Sequence, residues 1–229
     1  MWQGKNKALT FSFDDGVVQD RRVIEIFNRY GLKGTFNLNS AFLGMKGKLV
    51  RNGKTADYTK VEPDELPETY RGHEIAVHTL THPRLYGIPD DTLVYQVEED
   101  RLALSKLAGY EVVGMAYPFG DCNEHIAEVI RNRTGVKYSR TVKSTKGFAM
   151  PSNPWLLDPT VYYIHTEDMF RLGREFLELK TEEPALFYVW GHAYELDADY
   201  LSWETFEEFC ALVSGRDDIF YGTNKDILL

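Results

Sequence analysis

Apolar positions along the chain follow two alternating patterns. Short, nearly continuous apolar runs predict buried strands, and they lie near residues 8–13, 34–39, 74–78, 112–117, 137–141, 160–164 and 185–190. Apolar residues spaced three or four apart predict amphipathic helices, and this spacing follows residue 20 and recurs near residues 90–108, 123–133, 167–179 and 206–213. A short last strand is predicted at 219–221. Strands that alternate with helices indicate an α/β fold with a mostly parallel sheet.

The number of strands favours a closed arrangement over an open sheet. Seven or eight strands with helices between them are typical of a barrel, and the sequence has neither Gly-x-Gly-x-x-Gly nor a Walker loop. A length of 229 residues predicts one domain, spanning 1–229. Residues 41–62 are rich in glycine and lysine and are interpreted as a loop or an insertion.

Charge and composition exclude several classes of protein. A net charge of −9 without any basic run argues against nucleic-acid binding. No apolar stretch reaches the length of a membrane span, and two cysteines do not form a disulfide framework. The first residues lack the apolar middle of a signal peptide, which favours the cytoplasm. A secreted chain trimmed of its leader would read the same, and the oligomeric state is open.

The candidate chemistry begins where the first strand ends. Asp14 and Asp15 follow the apolar run and precede Gly16. Neighbouring residues of an extended segment point to opposite sides, so the two carboxylates can take different roles. The competing interpretation is that they only cap the next helix.

A second cluster follows the third predicted strand. His78 and His82 are four residues apart, which is ligand spacing for zinc if the segment makes a helical turn. Two surface histidines are the alternative. A catalytic zinc site needs a third protein ligand, and an aspartate oxygen qualifies. His73 stands before the strand and is interpreted as structural.

Two further strand ends carry polar or aromatic candidates. After the fourth strand, Pro118 and Gly120 predict a tight turn that leaves backbone N–H groups near Phe119 free to point into a cleft. After the seventh, His192 is a candidate general acid or base. Substrate contacts are predicted at Tyr117, Phe119, Trp190 and Glu195, and Glu195 has the alternative of a helix N-terminal charge.

Taken in order, these motifs resemble those of the NodB-like polysaccharide deacetylases, carbohydrate esterase family 4. The shared features are Thr-Phe-Ser-Phe-Asp-Asp-Gly from Thr10, His78-x-x-x-His82-Pro, Tyr-Pro-Phe-Gly from Tyr117, and Gly-His192. The resemblance extends from about residue 8 to 225. It implies a distorted (β/α) barrel whose active site lies at the carboxyl ends of the strands, and hydrolysis of acetyl groups with a divalent metal, usually Zn²⁺.

The resemblance also implies roles for single residues. Asp14 would be the general base, and His192 the general acid. Asp15, His78 and His82 would bind the metal, whose bound water would be the nucleophile. The backbone N–H of Phe119 would help to hold the oxyanion.

The sequence departs from the family pattern at two positions. Ala116 stands where the family often has an arginine that pairs with the catalytic aspartate, and Phe119 replaces a frequent tyrosine. Arg140, near the end of the fifth predicted strand, is our candidate for supplying the missing guanidinium, with a surface arginine as the alternative. Asp158 is a weaker candidate for orienting Arg140 or His192.

The leading prediction is therefore a metal-dependent hydrolase that removes acetyl groups from N- or O-acetylated oligo- or polysaccharides. Two alternatives remain. One is a metal-dependent amidohydrolase acting on a small non-sugar amide. The other is a carbohydrate-binding relative without activity.

Overall fold

A computed structural model describes residues 2–229. Its ten strands, in chain order, are β1 Lys7–Asp14, β2 Gly34–Leu38, β3 Lys48–Arg51, β4 Lys54–Asp57, β5 Glu74–Val77, β6 Gly114–Ala116, β7 Tyr138–Arg140, β8 Val161–Tyr162, β9 Ala185–Gly191 and β10 Ile219–Tyr221. The α-helices are α1 Asp20–Tyr30, α2 Leu66–Thr69, α3 Asp90–Ala108, α4 Glu124–Arg133, α5 Thr166–Glu178, α6 Tyr194–Asp197, α7 Trp203–Val213 and α8 Asn224–Leu228.

Eight of the strands form one parallel sheet that curls into a distorted barrel. Seven of them run in the order β7, β6, β5, β2, β1, β9, β8. Strand β10 pairs with the first residues of β1 on the edge opposite β9, the same edge that pairs with β2 further along. A single extended segment joins the two ends of this order. Leu157 forms a bridge to Arg140 of β7, and the chain then runs into β8, which pairs with β9. The predicted distorted (β/α) barrel is confirmed.

Strand β1 shows how the sheet separates an apolar side from a polar one. Phe11 and Phe13 point outward and pack against Phe27 of α1 and Phe206 of α7. Their neighbours Thr10, Ser12 and Asp14 point to the opposite side, because side chains alternate along a strand. There they meet polar partners. Thr10 donates to Asn224, and Asn37 donates to both Ser12 and Asp14.

The segment predicted as a loop or insertion contains an antiparallel hairpin. Strands β3 and β4 pair from Lys48 opposite Asp57 to Arg51 opposite Lys54, with Asn52 and Gly53 at the turn. Both turn residues have positive φ, at 51° and 71°, as a two-residue hairpin turn requires.

Within residues 2–229, no helix combines the length and apolar character that crossing a bilayer would require.

Candidate active site

The predicted site residues meet at the carboxyl ends of the barrel strands. A cavity of about 570 Å³ opens there. Its lining includes two of the predicted carboxylates, the three predicted imidazoles and the three predicted aromatic contacts, namely Asp14, Asp15, His78, His82, His192, Tyr117, Phe119 and Trp190. A larger depression of about 720 Å³ lies near the start of β1, among Gly4–Lys7 and Leu179–Glu182, and holds none of these residues.

Three side chains form a group that could hold a metal ion. One Asp15 oxygen, Oδ1, lies 3.9 Å from His78 Nε2 and 3.8 Å from His82 Nε2. These separations are too long for hydrogen bonds. Oδ1 is buried and has no hydrogen-bond partner among the described residues. Ligand atoms ~2.1 Å from a tetrahedral zinc stand roughly 3.4 Å apart, so small side-chain movements would close the group around an ion. The donor set therefore fits a divalent metal.

Left-handed backbone, rather than the expected helical turn, brings the three ligands together. Residues 78–82 form a loop in which Thr79 and His82 have φ of 65° and 52°. Asp15 also has a left-handed backbone, with φ of 84°, and its carboxylate lies near both imidazoles. Such conformations cost about 1–3 kcal/mol each and persist where surrounding contacts impose them. Here Asn39 donates to the carbonyls of His78 and Thr79, at 2.5 and 2.7 Å.

The protonation states suit metal binding. Burial lowers the pKa of His78 to about 4 and also lowers that of His82, so both imidazoles are neutral at pH 7. His78 Nδ1 lies 2.8 Å from the carbonyl oxygen of Ala116. A donor at Nδ1 leaves the lone pair of Nε2 facing Asp15. Burial raises the pKa of Asp15, but Lys60 and the nearby imidazoles outweigh it and the net pKa is lowered. Neutral imidazoles and an ionised carboxylate are the states that bind cations.

Asp14 lies beside this group and is held by Arg140. The Arg140 side chain is completely buried, and its guanidinium donates to both carboxylate oxygens of Asp14, at 2.6 Å for Oδ1. The same guanidinium lies 4.4 Å over the Trp190 ring. Burial raises the pKa of Asp14, but Arg140 and the nearby imidazoles hold it below its usual value. Asp14 is therefore an ionised carboxylate at pH 7.

The guanidinium that pairs with Asp14 comes from β7, whereas the family often has its arginine at the Ala116 position of the neighbouring strand β6. Ala116 of β6 and Arg140 of β7 are direct partners in the parallel register. Side chains of such partners point to the same face of the sheet, so an arginine at either position can extend toward the end of β1. Asp158 contacts neither Arg140 nor His192. It accepts a hydrogen bond from Thr141 instead.

Tyr162 and Glu195 orient the His192 ring through its Nδ1 atom. Its Nδ1 lies 3.3 Å from both the Tyr162 hydroxyl and Glu195 Oε1, and its Nε2 lies 3.9 Å from Asp14 Oδ2. Tyr162 also donates to Glu195, whose second oxygen accepts from the His192 backbone N–H. Burial lowers the pKa of His192, but Glu195, Asp15 and Asp14 outweigh it and raise the pKa to about 9. His192 is consequently protonated at pH 7 in the absence of a bound cation.

Glu195 is therefore placed differently from the predicted substrate contact. Its side chain is buried beneath His192 and does not line the cavity. The short helix α6 brings it there, since residues three apart share one side of a helical turn.

Gly191 is required just before His192. A Cβ atom at this position would lie 1.9 Å from carbons of the Tyr163 ring.

The turn after β6 presents a backbone amide and an exposed ring. Phe119 has φ of 57°, and the amides of Gly120 and Asp121 donate to carbonyls within the turn. No backbone carbonyl of residues 2–229 accepts the Phe119 N–H. The Phe119 ring is 52% exposed and lies edge-on against His82. The backbone N–H is thus free to bind an oxygen in the cavity.

The other two aromatic candidates form walls of the cavity. Tyr117 is almost fully buried, and its hydroxyl donates to the carbonyl of Trp155. Trp190 is 5% exposed and stacks on Tyr162 with ring centroids 4.1 Å apart. Both residues line the cavity but are almost fully buried, so little of either ring is open to a substrate.

The sequence interpretation did not include a contribution from the hairpin segment. Leu49, Arg51 and Tyr58 all line the cavity, and Lys60 donates to the Asp15 carbonyl at 2.7 Å. The Asn52-Gly53 pair is a strong hairpin signal that could have revealed the strands. It could not have revealed that the hairpin folds over the site.

Comparisons with known proteins point to one family. A family model described as polysaccharide deacetylase matches residues 3–139. No curated protein sequence matches the chain. Among solved structures, a Mycobacterium smegmatis protein assigned as a polysaccharide deacetylase is 19% identical, with a TM-score of 0.68 over 98% of this chain and 89% of the other.

Two further structures are similar in fold. The Streptococcus pyogenes deacetylase PplD, in complex with acetate, is 21% identical, with a TM-score of 0.52 over 64% of this chain and 61% of its own length. A Bacillus anthracis pseudoenzyme of carbohydrate esterase family 4 is 13% identical, with a TM-score of 0.56 over 98% of this chain and 66% of the other. At these identities the likeness establishes the fold.

Proposed function

The chain belongs to the polysaccharide deacetylase family, and from this premise we propose that it is a metal-dependent hydrolase that removes acetyl groups from N- or O-acetylated saccharides. The observation that carries the proposal is the Asp15–His78–His82 group, which lies in one cavity with the carboxylate of Asp14 and the imidazole of His192. These residues come from segments spread between β1 and the end of β9, which supports one catalytic domain.

We propose Zn²⁺ as the ion held by Asp15, His78 and His82, because two imidazoles and one carboxylate are a common donor set for catalytic zinc. When bound, the ion would lower the pKa of water from 15.7 to about 7 and polarise the acetyl carbonyl. Lys60 would hold the Asp15 backbone in place, because the Lys60 ammonium group donates a hydrogen bond to the Asp15 carbonyl.

Asp14 is the proposed general base. Arg140 and Asn37 donate to its oxygens and fix the plane of the carboxylate. In this position Asp14 can take the proton of the attacking water. Because its pKa is held low, the carboxylate is ionised at neutral pH and ready to accept a proton.

His192 is the proposed general acid. Its imidazolium is favoured by Glu195 in the cation-free protein, and it can donate from Nε2 to the leaving nitrogen or oxygen while Glu195 and Tyr162 hold Nδ1. The Phe119 N–H is the proposed donor to the oxyanion of the tetrahedral intermediate. A donor of this kind typically contributes ~3 kcal/mol to transition-state stabilisation.

Two substitutions separate metal binding from proton transfer. His78→Ala should lose bound zinc and acetate release together, whereas Asp14→Asn should keep the zinc and lose turnover. His125→Ala is the matched control, since His125 is exposed and contacts only Asp90 among the acidic groups. Full zinc content in His78→Ala would refute the ligand assignment.

The family resemblance leaves a binding protein without activity as the second candidate, and the likeness in fold to a pseudoenzyme is the observation that favours it. Acetate release from chito-oligosaccharides, acetylated xylan and an aryl acetate, with and without chelator, distinguishes the two. A panel of small non-sugar amides, assayed for hydrolysis in parallel, tests the amidohydrolase, and turnover of these amides alone would favour it. No release from any substrate by the zinc-loaded protein would favour the inactive relative.

A further inference from the structure

Arg51 is a cation at the tip of the β3–β4 hairpin that faces the active-site cavity. We propose that it binds a carboxylate on the saccharide, so that the substrate class is an acetylated saccharide that also carries a carboxylate. This inference rests on the proposed deacetylation and adds the chemistry that selects the substrate.

The strand register aims Arg51 at the cavity. Leu49 and Arg51 both line the cavity, as alternate residues of one strand should. Their neighbours Lys48 and Val50 are exposed, and Lys48 lines a separate depression on the other side of the hairpin. Arg51 is thus an exposed side chain at the rim of the cavity, and Lys48 lies on the opposite face of the hairpin.

Contacts with the barrel hold the hairpin in this position. Val18 N–H donates to the Thr59 carbonyl, and Val61 N–H donates to the Gly16 carbonyl, at 2.9 and 3.0 Å. Lys54 forms an ion pair with Asp199, beyond the end of α6. Strand β4 and the residues that follow it are thus tied to segments that carry catalytic candidates.

Arg51 has no ion-pair partner of its own. Among residues 2–229, no carboxylate lies within 4.0 Å of its guanidinium, although most arginines of this acidic chain pair with one. The Arg51 guanidinium has one hydrogen bond among the described residues, a long one of 3.4 Å from Nη1 to the Val50 carbonyl. Tyr194 lines the same cavity, and burial raises the pKa of its hydroxyl, which the Arg51 cation opposes. A guanidinium next to a neutral phenol keeps most of its donors available.

The other cations around the cavity are already engaged. Arg140 is paired with Asp14, and Arg84 is paired with Asp121 and lies over the Phe119 ring. Lys60 donates to the Asp15 carbonyl and lies 3.8 Å from the centroid of the Tyr58 ring. One available guanidinium suits a singly charged carboxylate, which it can bind in a bidentate manner. A doubly charged phosphate group would more commonly meet several cations.

The test compares two oligosaccharides that differ only in charge. One alternates N-acetylglucosamine with glucuronic acid, and the other is the same oligosaccharide after reduction of each carboxyl group to an alcohol. Each is measured as an inhibitor of aryl acetate hydrolysis by the zinc-loaded protein. The proteins are the wild type, Arg51→Gln, and Lys48→Gln as the matched control on the outer side of the hairpin.

We expect the charged oligosaccharide to bind the wild type about tenfold more tightly than the reduced one, as a charge-assisted pair at a partly exposed site allows. Arg51→Gln should remove this difference, and Lys48→Gln should keep it. Equal inhibition by the two oligosaccharides in the wild type, no inhibition by either, or an unchanged preference in Arg51→Gln would overturn the inference. Absence of aryl acetate hydrolysis in the wild type would instead count against the proposed function, and direct calorimetric binding of the same two oligosaccharides would then test Arg51.

Discussion

Moving the buried arginine from one strand to the next is the most direct test of how the site is built. In the parallel register Arg140 stands opposite Ala116, the position where the family often has arginine. We expect Arg140→Ala to impair the protein and the added change Ala116→Arg to restore much of what was lost. The new side chain would start one strand away and extend into the space that Arg140 vacates.

The size of the loss follows from the burial of the pair. Asp14 is 2% exposed and Arg140 is 0% exposed. Removing one partner of a buried ion pair costs about 3–5 kcal/mol, because the other charge is left without compensation. Asn37 still donates to Asp14 at 2.8 Å, so we place the loss near the lower end, at about 3 kcal/mol. If the transition state bears the whole of it, kcat falls roughly 100-fold.

Two assays read the result. Denaturant unfolding gives stability, and acetate release from an aryl acetate gives kcat. The Arg140→Ala/Asp14→Asn double variant should be more stable than Arg140→Ala, because no unpaired charge remains buried. Arg140→Lys, which keeps the charge but not the forked geometry, should fall between wild type and Arg140→Ala. Wild-type kcat in Arg140→Ala, or a folded, zinc-binding Ala116→Arg/Arg140→Ala variant with no gain in rate, would refute the reasoning.

Three further predictions concern single groups around the barrel. Burial lowers the pKa of His73 to about 4. As the pH falls below 6.5, this imidazole is protonated in the unfolded chain but not yet in the folded protein, so about 3 kcal/mol of stability should be lost between pH 6.5 and 4. His73→Gln should lack that part of the pH dependence in denaturant titrations, and an identical slope would contradict the assignment. In the metal-free protein, NMR titration should place the His192 pKa near 9, and Glu195→Gln should lower it; an unchanged value would mean that Glu195 does not stabilise the imidazolium. Gly191→Ala should destabilise the fold by about 1–3 kcal/mol through its clash with Tyr163, and full stability by thermal unfolding would contradict that contact.

The sequence alone was informative where structure is decided by neighbours along the chain. The predicted helix over 90–108 coincides with α3, and the predicted strands at 185–190 and 219–221 differ from β9 and β10 by at most one residue. The order of the motifs also indicated that Asp14, Asp15, His78, His82 and His192 share one end of the barrel. Apolar periodicity and parallel strand ends are local or repetitive features, so a linear pattern can express them.

Only the tertiary structure decided which side chains meet within that end. The pairing of Arg140 with Asp14 depends on the register between β6 and β7 and on the order of strands across the sheet. Glu195 lies behind His192 because a single helical turn begins at Tyr194. Arg51 faces the cavity because the hairpin folds back over the barrel. These relations join residues up to 126 positions apart, and long-range packing, rather than any periodicity of the chain, determines them.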